Sequence, residues 1–172
     1  NKEGTIIAKE AKSMEDVVVR GVTLNKNEAK ITVCDVPDKP GLAAKIFESL
    51  AAASINIDMI IQNISRTGAT DVSFTVMKSD LEKTLKVANR LCGKIGAAGV
   101  THDEDIAKVS VVGIGMRSHS GVAAKMFKAL AKKNINIEMI STSEIKISCV
   151  VEEKDGQKAT KALHTVFKLG KK

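Results

Sequence analysis

The chain has 172 residues, 44% of them hydrophobic, and a formal net charge of +7, which is enough apolar material for one large core or two small ones. No apolar run reaches the about 20 residues of a membrane span, and nothing at the start reads as a signal peptide, so a cytoplasmic protein with no membrane partner is expected. The charge raises nucleic acid as a partner, but the lysines are dispersed, Trp and Tyr are absent and only four Phe remain. That removes the aromatic platforms on which single-stranded bases stack, and solvated lysine faces are the expectation.

In chain order, residues 17–24 ("VVVRGVTL") read as a strand, followed by a β-branched run at Ile31–Val36. A glycine-ended loop leads into a helix whose apolar positions Ala43, Ile46, Phe47 and Leu50 fall at helical spacing. Alternation follows, with Ile55, Ile57, Met59 and Ile61 expected on one face and Asn56, Asp58 and Gln62 on the other. A turn near Thr67–Gly68 returns the chain into Val72, Phe74 and Val76, and a second helix is expected from an N-cap at Ser79 to Leu91. A strand is available at Gly99–Glu104.

The same phrase then recurs. At an offset of 80, twelve of the twenty positions 41–60 are repeated at 121–140, among them Gly41, Phe47, Asn56, Ile57 and Met59. A period this long makes each copy a small domain. The second copy has a strand at Val109–Ile114, helical positions Ala123, Met126, Phe127 and Leu130, and a final helix near Asp155–Leu169. That helix leaves no room for a closing strand, whereas 17–24 has no role in the first copy. The economical fold is α+β: two ferredoxin-like βαββαβ units, the first inserted into the second.

Cys34, Cys92 and Cys149 are odd in number, form no CxxC and sit in apolar segments, as buried reduced thiols would. No metal or cofactor is expected. "GIGM" at 113–116 is not a dinucleotide fingerprint, and His119 has no acidic neighbour in sequence and reads as a loop residue.

The segments "DKPGLAAKIFESLAAASINIDMIIQNIS", "TDVSFTV" and "SHSGVAAKMFKALAKKNINIEMISTSEIKISCVV" resemble the tandem ACT domains of bacterial aspartate kinase, over about residues 15–170. The resemblance implies a first ACT domain at 25–104, a second from 15–24 plus 105–172, and the tail of a kinase domain at 1–14. There "GTII" resembles the kinase's last strand, and Met14 resembles the start of a separate regulatory subunit. It implies no catalysis by these residues alone, feedback regulation by threonine as main effector and lysine as a second in aspartate-family amino-acid biosynthesis, a homodimer through the ACT domains, and the kinase catalytic subunit or domain as partner.

The residues suit such a ligand. The backbone N–H groups of Gly41, Leu42 and Ala43 at a helix start fit a carboxylate. Asp38 either accepts from an ammonium or caps the helix, and Gln62 can both donate and accept. By resemblance the effector lies between chains, which adds Val122, Ala123, Asn136 and Ile137. Asn136 reads as a strand residue that is either a ligand contact or an exposed edge. A lysine site would match Asp58, Ser65, Ser143 and Glu144, where Glu144 either holds an ammonium or is a solvated hairpin charge. The alternative is a non-sensing ACT module that only holds a kinase assembly together.

Overall fold

In the computed structural model, residues 19–63, 68–114 and 121–170 are described. The first sheet has the order β3 (Ile57–Gln62), β4 (Ala69–Met77), β2 (Glu28–Pro37), β5 (Gly99–Asp103). The second has the order β1 (Val19–Asn25), β6 (Ile106–Gly113), β8 (Lys146–Glu152), β7 (Met139–Thr142). Helices α1 (Leu42–Ala52) and α2 (Leu81–Ile95) belong to the first sheet, and α3 (Val122–Ala131) and α4 (Gly156–Val166) to the second. β1 pairs antiparallel with β6, Thr23 facing Ser110 and Leu24 facing Val109. From β1 onward the chain thus passes from the second unit into the first and returns.

Each core lies between one sheet face and its two helices. Ile31, Val33, Val72, Phe74 and Val76 meet Ile46, Leu50, Leu81 and Ile95 in the first unit, all buried. Phe47 adds an edge-on contact to Phe74, with centroids 5.8 Å apart. Val109, Val111, Ile147 and Val151 meet Met126, Leu130, Ala159 and Leu163 in the second. Gly156, at the start of α4, is there because the helix presses on the sheet. A Cβ at this position would lie 2.8 Å from Ala107 Cβ and 3.0 Å from Leu24 Cδ1.

Four local expectations change. The strict alternation of β3 fails because Ile57 pairs with Val76 and Ile60 with Phe74, so Asp58 and Met59 together oppose Thr75. This bulge reverses the faces. Ile57 packs on the helix-side core, whereas Met59 and Ile61 join a separate cluster with Ile106, Met139 and Val150 of the second unit. Ser79 does not cap α2. It lies within a 3-10 turn, Lys78–Asp80, and Asp80 precedes the helix without a side-chain capping bond. Asn136 lies ahead of β7 rather than in it. Cys34 is only half-buried, 3.8 Å from the hydroxyl of Thr101, while Cys92 and Cys149 are buried; burial pushes the Cys149 thiol up to about 12.

Candidate functional site

Two loop-to-helix joints are built alike. Gly41 precedes α1 with φ 90° and Gly121 precedes α3 with φ 95°. This left-handed geometry is cheap for glycine and strained for other residues. At both, the space a Cβ would enter is open; of the first-turn amides, which have no intrahelical acceptor, that of Leu42 reaches the Lys39 carbonyl at 3.4 Å. Neither helix has a side-chain capping bond, so the capping role left open for Asp38 is not realised. Asp38 is exposed, and its backbone N–H donates to the Gly68 carbonyl at 2.9 Å, which ties the loop to the start of β4.

Pro37 pairs with Ala69 and Gln62 with Val72. Asp38, Gly41, Leu42, Ala43 and Gln62 are therefore gathered at one end of the first sheet. Gln62 is in register with a helix-side residue and exposed. Val122 and Ala123 open α3, while Asn136 and Ile137 follow its far end, and ten helical residues span about 15 Å. Within one chain these two pairs are not brought together.

The residues matched to a lysine site are arranged differently. Ser65 lies outside the described residues. Ser143 and Glu144 are exposed in the β7–β8 turn, where the Ser143 N–H donates to the Lys146 carbonyl at 2.7 Å. Asp58 comes near that turn, 3.9 Å from the Lys146 ammonium. Its other oxygen accepts from Lys108, a β6 residue. Burial raises the Asp58 pKa, but the hydrogen bond and charge of Lys108, aided by Lys146, outweigh it and leave the carboxyl below its usual range.

Lys108 was not singled out in the sequence, where the strand was expected from Val109, whereas β6 begins at Ile106. Its ammonium also donates to Glu28 Oε1, which accepts from Asn25 Nδ2 at 2.7 Å as well. Burial alone would lower the Lys108 pKa, but hydrogen bonds to Asp58 and Glu28 reverse the effect and raise it. Beside this triad, Lys30 of β2 donates to Glu138 ahead of β7, and Lys78 pairs with Glu153 at 3.0 Å. All three contacts join the two units, around the Met59–Ile106–Met139–Val150 cluster. The signal available in advance was the repeat itself, since Glu28 and Lys108, Asp58 and Glu138, and Met59 and Met139 are each 80 apart.

Two interlocked βαββαβ units, each with a glycine before its first helix, define a tandem ferredoxin-like protein, and the ACT domain model matches residues 17–91 and 109–167. An aspartate kinase of Stutzerimonas stutzeri is 50% identical over 167 residues, covering 96% of this chain and 40% of that protein. An aspartokinase of Helicobacter pylori is 47% identical over 173 residues, covering 98% and 42%. The chain thus spans about two fifths of the curated relatives it matches. A solved structure of aspartokinase alpha and beta subunits is 51% identical with a TM-score of 0.83, covering 88% of this chain and 99% of the matched one. The ligand-free regulatory subunit of aspartate kinase from Thermus thermophilus is 40% identical with a TM-score of 0.83, covering 87% and 99%. The chain belongs to the ACT domain family, as an aspartokinase regulatory region, and the kinase catalytic domain is not among its 172 residues.

Proposed function

We propose that these residues sense an aspartate-family amino acid, threonine first and lysine second, and pass its binding to an aspartate kinase catalytic domain or subunit as feedback inhibition. The observation that carries this reading is the gathering of Asp38, the Gly41 turn and Gln62 at one end of the sheet, with Gln62 on its edge strand β3. An amino acid needs an acceptor for its ammonium, N–H donors for its carboxylate and a bifunctional group for a side-chain hydroxyl, and these three supply them.

The site is completed by a second chain. β3 and β7 are sheet edges, and each carries an exposed isoleucine at the equivalent position, Ile60 and Ile140. Antiparallel pairing of β3 with a partner's β7 sets Gln62 beside Asn136 and Ile137 of the partner subunit. Val122 and Ala123 then belong to a second, pseudo-symmetric pocket rather than to this one. A lysine ammonium directed to Asp58 must compete with Lys108 and Lys146, which favours threonine as the main effector.

Calorimetric titration with threonine and lysine, alongside sedimentation, tests this. Heat on threonine addition to a dimer is the expected result. A dimer silent to both amino acids overturns the sensing reading and leaves a module that only holds a kinase assembly together.

A further inference from the structure

Among the described residues, the seam between the two units contains a buried acceptor without a donor. Glu28 Oε2 is inaccessible and unpartnered, although Oε1 of the same carboxylate accepts from both Asn25 and Lys108. Buried carboxylate oxygens are costly to leave unbonded, so its persistence beside a three-donor ammonium is a clue to what else that ammonium does.

The three side chains differ in exposure. Glu28 and Lys108 are 6% and 9% exposed, and Asp58 is 41% exposed. Glu28 and Lys108 are locked in, since separating them strands a charge in the seam. Asp58 can leave, because water receives it on one side and Lys146, 3.9 Å from its second oxygen, on the other. Asp58 also stands at the β3 bulge, where the ladder is already interrupted and the Met59 N–H donates to Thr75 Oγ1 at 3.2 Å.

We propose that Lys108 is a two-position latch between the units: engaged, it holds Asp58 and with it β3; released, it turns its freed N–H to Glu28 Oε2 while Asp58 passes to Lys146. In both positions Lys108 keeps two carboxylate contacts. The Gln62 end of the edge strand can therefore shift while Met59 stays in the seam cluster and Glu28 stays on Lys108, and β6, paired with β1 and β8, feels the change as a redistribution of one ammonium's bonds. A fixed ion pair has no use for the spare oxygen; a latch does. The device operates in the free protein and stands whether or not an amino acid binds.

The ligand-free protein supplies the test, by a double-mutant cycle on Asp58→Asn and Glu28→Gln read by urea unfolding, with amide exchange and the 15N signal of the Lys108 ammonium as further readouts. Asp58→Asn alone should change the unfolding equilibrium less than about threefold, but more than about tenfold once Glu28→Gln has removed the spare acceptor, the coupling expected of groups in one network. Exchange at 60–62 should rise about tenfold in Asp58→Asn while 106–110 stays protected, as for a local opening of one strand. Additive costs, or unchanged exchange at 60–62, overturn the latch. If Glu28→Gln does not fold, the Lys108 ammonium decides alone: its protons remain slow to exchange with water in Asp58→Asn if Glu28 Oε2 takes over, and their signal disappears if it does not.

Discussion

Glu28 and Lys108 are the same position of the repeat, eighty residues apart, and they bond to each other across the seam between the two units. A pseudo-two-fold arrangement brings equivalent positions face to face. Two glutamates or two lysines would there bury like charges, so the copies must differ at this position. Met59 and Met139, also equivalent, meet in the same seam without such a need. Duplicated domains that pack on themselves diverge first where their own equivalents touch.

Removing one partner of this pair is expected to be far worse than removing both. Lys108→Met leaves the Glu28 carboxylate buried without its cation, at a cost of about 3–5 kcal/mol. Lys108→Met combined with Glu28→Leu removes both charges, and much of that loss should return. Urea midpoints of the single and double variants check this; a double variant no more stable than Lys108→Met alone contradicts it.

The acid limb of stability should depend on Asp58. Its folded pKa is depressed, so its contribution is complete above the unfolded value of about 3.9 and is lost as pH falls through the lower, folded value. Lys108 acts oppositely. Its folded pKa is raised, so its contribution is complete below about 10.5 and is lost as pH climbs through the folded value. Asp58→Asn should flatten the acid limb and leave the alkaline limb in place, as measured by urea midpoints across the pH range.

Two glycines should resist alanine for unlike reasons. Gly156→Ala places a methyl against Ala107 and Leu24, both held by the sheet, and overpacking of this kind costs about 1–3 kcal/mol. Gly41→Ala meets open space, but at φ 90° the left-handed backbone itself is penalised by about 1–2 kcal/mol. Gly156→Ala should lower the melting temperature without weakening effector binding, whereas Gly41→Ala should reshape the α1 amide turn and weaken it. Thermal unfolding and calorimetry separate the two.

The fold was legible because its information is local and stated twice. The 3.6-residue spacing at Ala43, Ile46, Phe47 and Leu50 fixes α1, the copy fixes α3, and counting strands assigns 17–24 to the second sheet, where β1 (Val19–Asn25) is found. What was hidden is what depends on partners distant in sequence. Nothing near Lys108 tells that Glu28 and Asp58 will enclose it. A period of two residues carries through Ile57 and Met59 without hint that Thr75 opposes both Asp58 and Met59. The polar face read as continuous therefore splits, with Asp58 at the seam and Gln62 at the end of the sheet that carries Asp38. Asn136 looked like strand because its copy, Asn56, falls in an apparently alternating run, yet β7 begins only at Met139.

The edge strands predict how copies of the chain meet. Ile60 and Ile140 are 49% and 40% exposed at equivalent points of β3 and β7, where unpaired backbone groups invite another strand. Ile60→Lys or Ile140→Lys puts an inward charge at that edge and should convert a dimer to monomers in sedimentation at micromolar concentration. Fold and circular dichroism should be unchanged, since neither residue belongs to a buried core. A persistent dimer in both variants places the interface elsewhere.

The effector reading has its sharpest consequence at Asp38 and Gln62. Both side chains are exposed and contribute nothing to either core, and Asp38 secures its loop through its backbone N–H rather than its carboxylate. Asp38→Ala and Gln62→Ala should therefore leave the unfolding midpoint within experimental scatter. A hydrogen bond to a charged group contributes about 1.5–3 kcal/mol, so Asp38→Ala should weaken threonine binding about tenfold to a hundredfold. Gln62→Ala, which removes a neutral partner, should cost less and fall mainly on ligands that carry a side-chain hydroxyl. Calorimetry with threonine and with a hydroxyl-free analogue of similar size distinguishes the two roles. A Gln62→Ala variant that weakens both ligands equally would assign that residue to the shared amino-acid core instead, and unchanged affinity in both variants would move the pocket away from this end of the sheet.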